Sequence, residues 1–89
     1  MPKAEISWKR TTDDGEKLQV YVQHIGREWK FFHRPKRFEN WEPMKEPPLE
    51  DWLELLDAMQ RLVNRRRYQP HDEQLLRRQI RERFPESEV

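Results

Sequence analysis

The sequence predicts an α+β domain: a three-stranded antiparallel meander followed by two helices packed on one face of it. Three observations carry this expectation. The hydrophobic period changes at Pro47-Pro48, from alternating β-branched and aromatic residues before it to helical spacing after it. Turn residues, Asp13-Asp14-Gly15 and Gly26-Arg27, divide the first part into three runs. Pro70 divides the second part into two.

The strands are expected at about residues 5–12, 17–25 and 28–34. Gly26-Arg27 reads as a two-residue loop with glycine first, which sets His24 opposite Trp29, Val22 opposite Phe31 and Val20 opposite His33. The first connection allows two registers. A two-residue Asp14-Gly15 loop aligns Trp8 with Tyr21 and puts Ile6 and Trp8 opposite to the Val20 and Val22 face. A three-residue loop with Gly15 left-handed pairs Trp8 with Val20 and Ile6 with Val22. The second register is expected, because it unites the apolar side chains.

From Pro35 to Met44 no period is visible, and the prolines argue against a central strand. This segment reads as a packed connection anchored by Phe38 and Trp41. The spacing of Leu49, Trp52, Leu53, Leu56, Met59 and Val63 then predicts a helix over about 49–66, acidic in its first turn and basic in its last. Pro70 suits a first helical position, and Asp72, Glu73, Leu76, Ile80 and Phe84 predict a second helix over about 70–84, before Pro85. Residues 1–85 are expected to form one domain and 86–89 a disordered tail. Its core should gather Ile6, Trp8, Leu18, Val20, Val22, Trp29, Phe31, Trp52, Leu53, Leu56, Met59, Val63, Leu76 and Ile80.

With 89 residues, 34% hydrophobic and 39% charged, the core must be small, but four Trp, four Phe and two Tyr concentrate its apolar area. There is no cysteine, which excludes a disulfide framework, a thiolate zinc site and a cysteine nucleophile. The N-terminus lacks an apolar run of signal-peptide length and no later run approaches a membrane span, so a soluble, cytoplasmic protein is expected.

Two helical stretches, Pro47-Pro48-Leu49-Glu50-Asp51-Trp52-Leu53-Glu54-Leu55-Leu56-Asp57 and Ile80-Arg81-Glu82-Arg83-Phe84-Pro85-Glu86, resemble segments of small bacterial proteins of uncharacterised function. The resemblance covers mainly the helical half and implies a small stand-alone bacterial protein; it brings no activity with it. In the first third of the chain, Trp8, Trp29, the Gly15 turn and Tyr21-Val22-Gln23-His24 resemble the three-stranded WW domain, a binder of proline-rich segments. No proline follows Trp29 within a few residues, and Tyr21 to His24 come later after the turn than that family places them. The packing proline that holds such a module together is therefore missing.

Enzymatic chemistry finds no constellation. His24, His33 and His71 do not converge, and no His-x-x-x-His or Glu-x-x-His spacing offers a metal site. Ser7 lies on a strand and Ser87 near the end of the chain, neither on a nucleophile elbow. The only glycines, Gly15 and Gly26, are explained by hairpin turns, so there is no phosphate-cradling loop. Glu50 with Glu54, and Glu54 with Asp57, read as a solvated helix face rather than a catalytic pair. A non-enzyme without cofactor or metal is expected.

The net charge is only +1, but its distribution is uneven. Between Arg27 and Arg37 five basic residues face Glu28 alone, between Phe38 and Asp57 seven acids face Lys45, and from Arg61 to Arg83 eight arginines face three acids. On the sheet face opposite the expected core, Tyr21 lies across from Phe32 among Lys9, Lys30 and Arg34, an arrangement that could stack unpaired bases and hold phosphates. Arg77, Arg78 and Arg81 on the last helix offer a second phosphate-binding group. Leu55 and Leu62, beside the main stripe of the first helix, widen its apolar arc toward a protein partner or a second copy. The expected function is a non-enzymatic binding module, for a protein first and single-stranded nucleic acid second, with no membrane contact. The candidate ligand contacts are Lys9, Tyr21, Lys30, Phe32, Arg34, Arg77, Arg78 and Arg81.

Overall fold

Alternating side chains build one antiparallel sheet in the first half of the chain, and 3.6-residue periodicity builds two helices in the second. The computed structural model describes residues 6–26, 28–35 and 39–89. Its elements are β1 (Ile6–Thr11), β2 (Lys17–Ile25), β3 (Glu28–Arg34), β4 (Glu42–Pro43), α1 (Leu49–Asn64) and α2 (Pro70–Arg83). The architecture is therefore α+β. Contacts divide the chain into two compact units, one ending at Pro47 and the other starting at Pro48, the point where the hydrophobic period changes.

In the first unit the strands lie in the order β1-β2-β3-β4. Ile6 pairs with Val22 and Trp8 with Val20, and across the second hairpin Val22 pairs with Phe31, Val20 with His33 and His24 with Trp29. Both registers are those expected from the turn chemistry. Gly15 has φ +87° and closes a three-residue loop, donating its N–H to the Thr12 carbonyl at 2.9 Å while the Thr12 N–H donates to the Glu16 carbonyl at 2.7 Å. Gly26 has φ +62° between the paired residues Ile25 and Glu28. A Cβ at Gly15 would meet nothing within 4 Å, so only backbone strain opposes a side chain there. Gly15→Ala should destabilise the protein by about 1 kcal/mol and Gly15→Asn by less, since Asn tolerates the left-handed region. Thermal unfolding followed by circular dichroism checks the order; equal melting temperatures for the three proteins would contradict it.

The expected three strands become four. Glu42 pairs with His33 and Pro43 with Phe32, and the Met44 N–H donates to the Phe31 carbonyl at 2.9 Å. A proline is compatible with this position because β4 lies at the sheet edge, where no further strand needs its missing N–H. Phe38, one expected anchor of this segment, lies outside the described residues. So does Glu5, the expected first residue of β1.

One face of the sheet is apolar: Ile6, Val20, Val22 and Phe31 are buried. Trp8, Leu18 and Trp29, expected in the core, are half-buried. Trp8 meets Phe31 edge-to-face at 6.4 Å, and His24 stacks on Trp29 at 4.0 Å near the hairpin end.

In the second unit Gln60 hydrogen-bonds Glu73 at 3.3 Å while Arg83 lies over the Trp52 ring at 4.8 Å. The start of each helix thus meets the end of the other, and the helices run antiparallel. Trp52, Leu55, Leu56, Ala58 and Met59 on α1, with Leu76 and Ile80 on α2, are buried. Asp51 is buried too, in the first turn of α1, where the helix dipole favours a carboxylate. Two residues correct the expected stripe. Leu53 is 40% exposed, whereas Leu55, assigned to a flank, is 0% exposed. The buried arc is centred on Trp52, Leu55, Leu56 and Met59, an i, i+3, i+4, i+7 set, and Leu53 falls outside it. Val63 is half-buried.

α1 ends at Asn64, two residues before the expected boundary, because Arg66 turns left-handed at φ +61°. The Arg66 N–H then donates to the Val63 carbonyl and the Arg67 N–H to the Leu62 carbonyl, both at 2.9 Å, the paired bonds of a Schellman cap. α2 opens on a capping box: the Asp72 carboxylate accepts from the Gln69 N–H at 2.9 Å, with Pro70 in the first turn. Residues 86–89, expected as a disordered tail, carry a turn in which the Ser87 N–H and hydroxyl both donate to the Phe84 carbonyl.

Candidate functional site

The sheet face opposite the apolar one follows from the same registers. Ser7, Tyr21, Phe32 and Pro43 form one cross-strand row, Lys9, Gln19 and Arg34 a second, and Gln23 and Lys30 a third. All five candidates of the sheet, Lys9, Tyr21, Lys30, Phe32 and Arg34, are therefore brought to one face. The described strand residues of this face carry the cations Lys9, Lys17, Lys30 and Arg34 against one acid, Glu28, which lies 3.6 Å from Lys30.

Its centre is aromatic. Tyr21 and Phe32 stack at 5.0 Å between centroids with 19° between planes, and Trp41 meets Tyr21 edge-on at 4.6 Å. All three rings are half-buried, so the connection that carries Trp41 flanks the pair without closing over it. The Arg34 guanidinium lies 4.2 Å above the Trp41 ring, donates from Nε to Gln19 Oε1 at 2.7 Å and reaches the Glu39 carbonyl from Nη1 at 3.5 Å. Among the described residues, two of the five guanidinium donors are used in this way, in a plane fixed by these contacts.

Between these side chains lies an open groove of about 650 Å³, lined by Ser7, Lys9, Gln19, Tyr21, Gln23, Arg34 and Trp41 among others. Its chemistry suits a flat, anionic ligand: rings offer stacking faces, glutamine amides offer donors and acceptors, and the cations hold negative charge. Trp41 and Gln19 were not among the sequence candidates. Trp41 read as an anchor of the connection, and only its return to the sheet edge through β4 brings it beside Tyr21.

The helical candidates are engaged within their own unit. Arg77 binds Glu73 at 2.9 Å, Arg78 lies 3.6 Å from Glu82, and Arg81 donates to the Val89 carbonyl at 2.9 Å. These contacts fit a supporting role for all three. The histidines stay apart in role: His24 stacks on Trp29, His33 pairs with Val20 and Glu42 on the apolar face, and His71 is exposed on α2. Among the described residues no group of three or more His, Asp or Glu side chains could hold a metal ion, and no helix is long and apolar enough to cross a membrane. The chain matches no protein-family model, no curated protein and no solved structure.

Proposed function

We propose that the protein is a non-enzymatic binding module that takes single-stranded nucleic acid on the open face of its sheet. The observation that carries this reading is the half-buried Tyr21–Phe32 stack set beside Trp41 and a pre-oriented Arg34, on a face whose described strand residues carry four cations and one acid. Bases stack on the rings, and the phosphates between them meet Arg34, Lys9 and Lys30. Recognition of this kind is tolerant of sequence, because every base has a stacking face. Association with a protein partner or a second copy ranks second. In the apolar arc that would serve it, Leu55 is buried and Leu62 half-buried, and the exposed leucines Leu53 and Leu75 are ordinary surface residues for a small domain.

A ¹H–¹⁵N titration with mixed-sequence short single-stranded DNA and RNA tests the proposal. At low salt the amides of Gln19 to Gln23, Lys30 to Arg34 and Trp41 should shift together, and added salt should reverse the shifts. A flat titration of a well-dispersed spectrum would overturn it.

A further inference from the structure

The eight arginines of the second unit are not equivalent. Arg61 binds Asp57 at 2.7 Å, Arg77 and Arg78 face Glu73 and Glu82, Arg81 holds a carbonyl and Arg83 covers Trp52. Arg65 and Arg66 are exposed, and neither side chain has a partner among the described residues. No acid occurs between Asp57 and Asp72, a stretch that contains Arg61, Arg65, Arg66, Arg67 and His71. Arg65 and Arg66 therefore have no acid within four residues in sequence to neutralise them.

Arg66 also occupies a backbone position that disfavours it. Among the described residues it is the one non-glycine with positive φ, at +61°, in the place of the Schellman cap where glycine is preferred. A cation near a helix C-terminus complements the dipole, but a residue in the last helical turn, such as Arg61, provides that without a left-handed backbone. What Arg66 supplies beyond glycine is an exposed guanidinium beyond the end of α1.

We infer that the α1–α2 turn, through Arg65 and Arg66, is a second binding surface that takes the phosphodiester backbone of a nucleic acid. The guanidinium fork matches two phosphate oxygens at once and reads no base, so this surface contributes affinity without sequence preference. The inference rests on the proposed function only for the class of ligand. Its residues are separate from the sheet face, and each surface can fail alone.

The test uses the full chain, a labelled mixed-sequence DNA oligomer and four proteins: wild type, Arg66→Gly, Arg66→Lys and Tyr21→Ala. Arg66→Gly relieves the backbone and removes the charge, so it should raise Tm by roughly 4 to 8 °C. The same variant should bind about fivefold more weakly, with the slope of log affinity against log salt reduced by about 0.7, the loss of one phosphate contact to a single strand. Arg66→Lys should keep the slope. A more stable Arg66→Gly protein with unchanged affinity and slope would overturn the inference, whatever Tyr21→Ala does. Weaker binding by Arg66→Gly with unchanged binding by Tyr21→Ala would uphold the turn and overturn the sheet reading. A polyglutamate peptide of equal charge that displaces the DNA as well as unlabelled DNA does would overturn the phosphate assignment, and no DNA binding by wild type would overturn both surfaces.

Discussion

Leu55→Ala should destabilise the protein by about 2–5 kcal/mol, while Leu53→Ala should cost under about 1 kcal/mol. The two leucines are two residues apart on one helix, so propensity and composition change equally in both variants. Only their placement differs: Leu55 is 0% exposed and Leu53 40%. Truncating Leu55 removes buried methyl groups and leaves a cavity that the surrounding side chains fill incompletely, whereas the space vacated at Leu53 opens to water. A small domain has about 5–15 kcal/mol of total stability, so the first change removes a large part of it. Urea unfolding checks this through the midpoint at unchanged slope. Equal midpoints for the two variants would mean that α1 presents a different face to its core from the one described.

The same pair of leucines marks what was legible in the sequence. Helix α1 was readable as a helix because its apolar residues recur every three or four positions. Its exact face was not, because adjacent and overlapping stripes through Leu53 and Leu55 both contain Trp52 and Leu56, and periodicity weighs them alike. The sheet registers were legible because each is over-determined. A two-residue loop at Gly26 and a left-handed Gly15 set the pairing locally, and the alternative register would have split the apolar side chains between faces. β4 was not legible because a two-residue edge strand containing a proline has no period to read. Nor was the place of Trp41 in the candidate site, since its position beside Tyr21 depends on β4 returning to β3. The end of α1 was less legible because the cap is made by an arginine; the usual signal, glycine, is absent at Arg66.

On the sheet face, Tyr21→Ala and Phe32→Ala should each weaken single-strand binding by about 1–3 kcal/mol, or roughly 5- to 150-fold, whereas Tyr21→Phe should bind nearly as wild type. Stacking needs the ring and not the hydroxyl, so the phenylalanine variant separates a ligand contact from a tyrosine hydrogen bond. Each alanine variant also loses the cross-strand pair, at about 0.2–1 kcal/mol of stability, which is too little to unfold the protein. Melting curves for the variants establish that the binding loss exceeds the folding loss. Trp41→Ala should fall between the two classes: it removes one ring from the groove and also the surface on which Arg34 rests, leaving Gln19 and the Glu39 carbonyl to orient the guanidinium. Lys9→Ala, by contrast, should reduce the salt dependence by about 0.7 in slope and shift affinity equally for all sequences, as expected of a cation that meets phosphate. If Tyr21→Ala and Phe32→Ala bind as wild type while Lys9→Ala loses affinity, the face attracts nucleic acid by charge alone. The stacked rings would then serve only to hold β2 and β3 in register.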